Sequence, residues 1–202
     1  MPQLPSIEEI RTAHIIEATL FAISTMGAAN ITMRDIANAS GLSNGGLAHY
    51  FPSKEELFKT VFKEFFQRIF KRSKEELDNI DDPFEKLLGF GAFFDVNEPD
   101  VLVGYPLLFD CMSIAVHNEE YRELFDEWLE NWVALLRDAI QEGIQRKIFR
   151  KVDADALARM VSSMYLGISI RWYLARESNS TDWAMKALKE GIKSLMEPYR
   201  VK

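Results

Sequence analysis

An all-α fold is expected for this chain, and three observations predict it. Strand-type alternation is nearly absent, N-capping residues recur along the whole length, and the apolar residues between caps return at helical spacing. With 48% hydrophobic and 12% aromatic content, the 202 residues can build a sizeable core and carry no compositional sign of disorder.

The elements follow in order. A first helix is placed at about Ile7 to Met26, with Ile16, Leu20, Ile23 and Gly27 along one stripe. Thr32 caps a second that starts at Met33, and Asp35 sits in its first turn, where negative charge suits the helix dipole. Ile36, Ala37 and Ser40 form its narrow inward face, and Gly41 supplies the left-handed residue at its end. Leu42 is expected to plug the angle to a third helix, Asn44 to Tyr50, capped by Ser43. Ser53 to Glu56 reads as a capping box opening a long helix to about Asn79, with Leu57, Val61, Phe62, Phe65, Phe66, Ile69 and Phe70 on its apolar face.

Asp82-Pro83-Phe84-Glu85 starts a fifth helix that is expected to end near Asp95, and Asn97-Glu98-Pro99 breaks the chain. The sixth runs from about Val101 to Val116, with Pro106 bending it or delaying its start. Asn118 caps a seventh, Glu119 to about Lys147, and Asp153 an eighth, to about Arg176. Asp182 leads a ninth, stopped by Pro198. The expected architecture is about nine helices: a helix-turn-helix domain at 1–52, then a helical domain at 53–202 entered through a linking helix at 53–79.

The stretch from Thr32 to Leu57 carries the functional signal. Two short helices around a tight turn, followed at once by the cap of a third, are the layout of a helix-turn-helix DNA reader. The second helix of such a motif lays its N-terminal residues on base edges in the major groove. Here that end is slim, with Asn44, Gly45 and Gly46, so backbone N–H groups can approach bases and phosphates. The net charge of −7 runs against a basic footprint. In residues 1–60, Arg11, Arg34, Lys54 and Lys59 are offset by Glu8, Glu9, Glu17, Asp35, Glu55 and Glu56. The cations Lys63, Arg68, Lys71, Arg72 and Lys74 further on read as a solvated helix face.

The same residues resemble the DNA-binding domain of the TetR family of transcriptional regulators. The marks are Ile15-Ile16, Ala18, Gly27, Thr32, Ile36-Ala37, Gly41-Leu42-Ser43, Gly45, Tyr50-Phe51 and Ser53-Lys54-Glu55-Glu56-Leu57. The resemblance implies a repressor that binds a palindromic double-stranded DNA operator as a homodimer and is released by a small-molecule effector. Carried over by matched position, Thr32, Ser43, His49, Tyr50 and Lys54 are backbone contacts, and Arg34 and Asn44 are the side chains for bases. Gly45 and Gly46 permit the approach. Ala48 stands where the family usually has a tyrosine.

Beyond the motif, the segment 154–176 is apolar over most of its circumference, so it is buried on more than one side. With the ninth helix it is expected to form half of a four-helix dimer interface, through Tyr165, Gly167, Trp172, Trp183, Leu188, Ile192 and Leu195. The middle helices are rich in rings and methionine. Phe62, Phe66, Phe90, Phe93, Phe94, Tyr105, Phe109, Met112, Trp128, Trp132, Met160, Met164 and Trp172 each read as core when taken alone, and as a set favour a pocket for an apolar or aromatic molecule. Asp110 either orients a ligand or bonds a neighbouring helix. Arg171 either meets an anion in the pocket or makes an ion pair between subunits.

Other classes find little support. His14, His49 and His117 are scattered without metal-ligand spacing, paired acids sit at helix starts, and Gly45-Gly46, Gly89 and Gly91 lie inside helical patterns rather than in a phosphate loop. No enzyme activity, metal or cofactor is expected. The competing reading is a helical ligand-binding or adaptor protein that has lost DNA binding. Cys111 is the single cysteine, no apolar leader is evident, and no apolar run reaches the ~20 residues of a membrane span, so a cytoplasmic location without membrane contact is expected.

Overall fold

The computed structural model describes residues 4–201. Among them are nine α-helices: α1 (Ile7–Met26), α2 (Met33–Ala39), α3 (Asn44–Tyr50), α4 (Lys54–Asp78), α5 (Pro83–Lys86), α6 (Pro99–Ala115), α7 (Glu119–Gln145), α8 (Ala154–Leu174) and α9 (Thr181–Met196). Short 3-10 turns lie at Gly91–Phe94 and Glu197–Tyr199. No helix among the described residues is long and apolar enough to cross a membrane. The chain divides into two compact units, Met1–Gln67 with Leu102–Phe125 and Arg68–Val101 with Asp126–Lys202, so α4, α6 and α7 each contribute residues to both.

In the first unit, caps set the helix boundaries. The Ser6 hydroxyl accepts from Glu9 N–H at 3.1 Å, while Ser6 N–H donates to Glu9 Oε2 at 2.6 Å. Thr32 and Asp35 form the same reciprocal box at the start of α2, so Asp35 does more than match the dipole. At the other end of α2, Gly41 takes φ 67°. Leu42 N–H then bonds Ala37 C=O at 2.8 Å and Gly41 N–H bonds Asn38 C=O at 3.2 Å, a Schellman ending.

Two expectations about this core need correction. The buried face of α1 is Ile15, Thr19, Leu20, Ala22 and Ile23, with Ile16 only half-buried. Apolar residues also stand exposed on α1 at Ile7, Ile10 and Phe21, so periodicity alone could not choose the face. Leu42, expected to plug the angle, is half-buried beside Gly46 of α3, and Leu47 is the fully buried residue of that helix.

In the second unit, the expected fifth helix to Asp95 is a single turn, Pro83–Lys86, followed by turns and the 3-10 segment. A Cβ at Gly89 would stand 2.3 Å from Leu77 Cδ2, so the chain passes α4 at a distance that only glycine allows. Pro99, expected as a breaker, is instead the first residue of α6, where its missing N–H is not needed. Pro106 lies inside that helix.

Helix α7 stops at Gln145, short of Lys147, because Lys147 adopts φ 59° and turns the chain. Phe149 then folds back over the last turn, against Gly143, where an added Cβ would meet the ring at 2.1 Å. The segment pairs with the C-terminal tail: Arg150 N–H donates to Tyr199 C=O at 2.7 Å and Val201 N–H to Ile148 C=O at 2.9 Å. Helix α8 ends at Leu174, two residues earlier than expected, and Ser180 rather than Asp182 caps α9.

Candidate functional site

The helix-turn-helix of the first unit presents one polar face. Thr32, Arg34, Ser43, Asn44, Gly45 and His49 are exposed, and Gly46, Tyr50 and Lys54 half-exposed, while Ile36, Ala37, Ser40 and Leu47 are buried beneath them. The caps hold this face in place. Ser43 Oγ accepts from Gly46 N–H at 3.0 Å and Ser53 Oγ from Glu56 N–H at 3.1 Å. A Cβ at Gly45 would meet nothing within 4 Å, so glycine there leaves open space in front of the helix rather than relieving an internal clash. The Lys54 ammonium lies 5.0 Å from the centre of the Phe58 ring, and His49 and Tyr50 stand edge to face at 5.4 Å.

Electrostatics around this face are local. The hydroxyl and backbone N–H of Thr32 hold the Asp35 carboxyl below its ordinary range, fixing a negative charge at the α2 start. Of the later cations, Lys59 pairs with Glu120, while Arg68 and Arg72 reach Asp100 at 3.3 and 2.6 Å. Ala48 is exposed on the same helix and leaves that position slim.

Three bonds that cross long stretches of sequence tie the rest of the first unit to this head. Asp110 Oδ2 accepts from Ala28 N–H at 2.6 Å, in the turn between α1 and α2 that Gly27 opens at φ 79°. Tyr121, 2% exposed, donates its hydroxyl to Glu55 C=O at 3.2 Å, and Asn118 Nδ2 donates to Glu55 Oε1 at 3.0 Å. Burial, then the Glu55 charge, push the Tyr121 phenol above its ordinary range, so it stays a donor. The Tyr121 and Asn118 ties were not foreseen, because nothing in a tyrosine three residues after a cap names a partner 66 residues away. Phe62, Phe66 and Tyr105 are buried in this unit and Phe109, Asp110 and Met112 half-buried, with Phe62 edge-on to Tyr121 at 5.7 Å.

The second unit holds a separate aromatic cluster around Trp132. Phe90, Phe93, Phe70 and Trp128 stand edge-to-face to it at 5.1, 5.3, 5.8 and 6.2 Å. Phe90 also meets Tyr165 at 5.3 Å, and Phe94 meets Trp172 at 5.5 Å. Tyr165 donates to Leu87 C=O at 2.9 Å, and burial raises its phenol pKa. The expected pocket residues thus fall into two groups, one per unit, and Phe70, which was not among them, joins the second.

The expected dimer residues also separate. Trp172, Leu188 and Ile192 are buried within the chain itself, between 0% and 2% exposed. Gly167 is exposed with open space beside it, and Tyr165, Trp183 and Leu195 are half-buried. Met160, Gly167, Arg171 and Leu174 are exposed along one stripe of α8 at helical spacing, with Met164 half-buried among them.

A helix-turn-helix head with its polar face uncovered, joined to a helical unit, defines a DNA-binding regulator class. The description "Bacterial regulatory proteins, tetR family" matches residues 15–61, and "BetI-type transcriptional repressor, C-terminal" matches 105–197. The transcriptional regulator BetI of Paraburkholderia xenovorans (strain LB400) is 32% identical over 194 residues, 95% of this chain and 96% of its own length. The transcriptional repressor KstR2 of Mycolicibacterium smegmatis is 28% identical over 186 residues, 85% of this chain and 83% of its own. A TetR-family regulator from Cytophaga hutchinsonii has the same fold, with a TM-score of 0.87 at 20% identity, covering 99% of this chain and 100% of that one. So does a transcriptional regulator from Saccharomonospora viridis crystallised with choline, with a TM-score of 0.81 at 24% identity, covering 90% and 95%. The chain belongs to the TetR family of transcriptional regulators.

Proposed function

We propose that this regulator is a repressor that binds a palindromic operator as a homodimer and is released by a small, mainly apolar or aromatic effector. The observation that carries the DNA half is the polar face of α2 and α3, with every expected contact residue at least half-exposed over a closed core. Arg34 and Asn44 reach bases, Thr32, Ser43, His49, Tyr50 and Lys54 hold phosphates, and Gly45 and Gly46 let α3 approach. Two heads in one dimer read half-sites in successive major grooves.

The dimer forms through the α8 stripe Met160, Met164, Gly167, Arg171 and Leu174, joined by Trp183, Ala187, Gly191 and Leu195, which share one half-exposed face of α9. The effector enters the ring cluster of the second unit. In support, a fold relative was crystallised with choline, a small molecule whose cationic head suits aromatic rings. Because α4, α6 and α7 contribute to both units, a shift of these helices changes the spacing of the heads. Asp110 and Tyr121 are where that shift is handed to the α1–α2 turn and the α4 start.

Gel-shift titration of the purified protein against DNA from upstream of its own coding region tests this reading. Salt-sensitive, saturable binding to a fragment with inverted half-sites is expected. No binding to any such fragment at low salt would favour the adaptor reading. Gly167→Arg is expected to give a monomer by light scattering and to weaken that shift. A dimer unaffected by the substitution would place the interface elsewhere.

A further inference from the structure

The effector site, resting on the reading of the Trp132 cluster just given, has a polar selector of its own. We infer that it takes a mainly apolar ligand bearing one hydrogen-bond acceptor, a carbonyl, carboxylate or hydroxyl oxygen, and that the Trp132 indole N–H is the donor that meets it.

Trp132 is 7% exposed, and its Nε1 is buried without a hydrogen-bond partner. Buried polar groups in folded proteins are paired almost without exception, so a lone donor calls for a reason. Two neighbouring polar tips are satisfied. Tyr165 donates to Leu87 C=O at 2.9 Å, and Trp172 Nε1 donates to Thr181 Oγ1 at 3.2 Å, which itself donates to Phe94 C=O at 2.9 Å. The other unpartnered buried side-chain atom is Arg72 Nε, on a guanidinium already held by Asp100 at 2.6 Å. Trp132 thus differs from Tyr165 and Trp172: four rings stand against its indole, and a ring face is a weak acceptor at best.

The surroundings suit a flat or branched apolar molecule. Phe70, Phe90, Phe93 and Trp128 stand edge-to-face to the indole, and Phe70, Phe93, Trp128 and Tyr165 are half-exposed, so the cluster reaches solvent. A ligand that slides among these rings loses little by leaving water, and its single oxygen meets the Trp132 N–H. A hydrocarbon of the same shape leaves that donor unpaired. A simple quaternary ammonium ion gains attraction from the rings and has nothing to offer the N–H.

The test uses the full chain labelled with 15N at the tryptophan indoles, with the Trp132 resonance assigned by its loss in Trp132→Phe. The probes are acetophenone, ethylbenzene and tetramethylammonium. Acetophenone is expected to move the Trp132 N–H resonance downfield, and Trp132→Phe to weaken acetophenone about fivefold while leaving ethylbenzene within about twofold. If both aromatic probes bind with the Trp132 resonance unmoved and Trp132→Phe affects them alike, the donor role is wrong and the effector site stands. Tetramethylammonium displacing acetophenone without moving that resonance would replace the acceptor-bearing class with a cation. If no probe moves any indole resonance, the cluster is core, and both the donor role and the effector site fall. Should Trp132→Phe not fold, the Trp132 resonance is assigned by elimination from Trp128→Phe, Trp172→Phe and Trp183→Phe, and its movement in the parent protein decides.

Discussion

The two units of this regulator solve opposite problems with helices. The first buries a small core and leaves its polar residues uncovered on α2 and α3, each fixed by a hydrogen bond only three residues long, such as Ser43 to Gly46 and Thr32 to Asp35. The second leaves Met160 and Leu174 uncovered on α8 and gathers rings around Trp132. In the first, function sits on groups that local capping orients. In the second, it sits on groups whose neighbours come from distant parts of the chain. Substitutions on the uncovered face of the first unit should therefore change DNA binding without changing stability, whereas substitutions among the buried contacts of the second should change stability first.

The sharpest break of that contrast is Gly143→Leu in the second unit. The added side chain meets the Phe149 ring where a Cβ would already lie 2.1 Å from it, and urea denaturation should show a loss of about 3 kcal/mol. Its counterpart in the first unit is Gly45→Trp. With nothing within 4 Å of a Cβ at that position, the melting temperature should hold. Affinity for the shifted fragment should fall roughly hundredfold, the scale of losing one or two base contacts. A stable Gly143→Leu protein, or an unfolded Gly45→Trp protein, would erase the division of labour.

Asp110→Ala blurs the contrast by design, because it removes the acceptor of Ala28 N–H from the first unit. A part-buried donor is left unpaired, and stability should drop by about 1–2 kcal/mol with weaker DNA binding beside it. Stability unchanged in a denaturant titration would mean that water replaces the carboxylate.

The smallest effect is in the pH dependence of the second unit. Lys86, then Arg146, hold the Glu142 carboxyl below its ordinary value of 4.5. A depressed carboxyl contributes stability that is present above that unfolded-state value and is lost as pH falls through the lower folded-state one. Glu142→Gln should therefore lose less stability than the parent between neutral pH and pH values below 4.5, by a margin that solvent screening keeps small. Parallel melting curves across that range would expose the error.

How far each feature could be foreseen follows the same line. The starts of α2, α3, α7 and α8 were legible because Thr32, Ser43, Asn118 and Asp153 each bond a backbone N–H three residues on. The end of α2 was legible because Gly41 alone tolerates its backbone angle there. The face of α1 was not, since Ile15 and Ile16 are equally apolar and only the helices packed against them choose. Nor was the break after Lys86, which depends on how closely Gly89 passes Leu77. The expected contact residues of the head, Thr32 to Lys54, came from the family resemblance, and the structure shows each of them at least half-exposed. The ring residues could be named but not grouped, because Phe90 and Trp132 meet across 42 positions.

Capping chemistry and helical spacing in the sequence by itself determined that this protein is helical, where most helices begin, and that residues near Thr32 to Lys54 form a DNA-reading head. Such interactions span three or four residues and need no partner from elsewhere. Only the tertiary structure decided that Asp110 belongs to the α1–α2 turn, that Trp172, Leu188 and Ile192 are sealed within one chain, and that Trp132 keeps an unpaired N–H. Whether a ring or a charge is covered depends on what the chain brings back to it from afar, and one helix's periodicity carries no record of that.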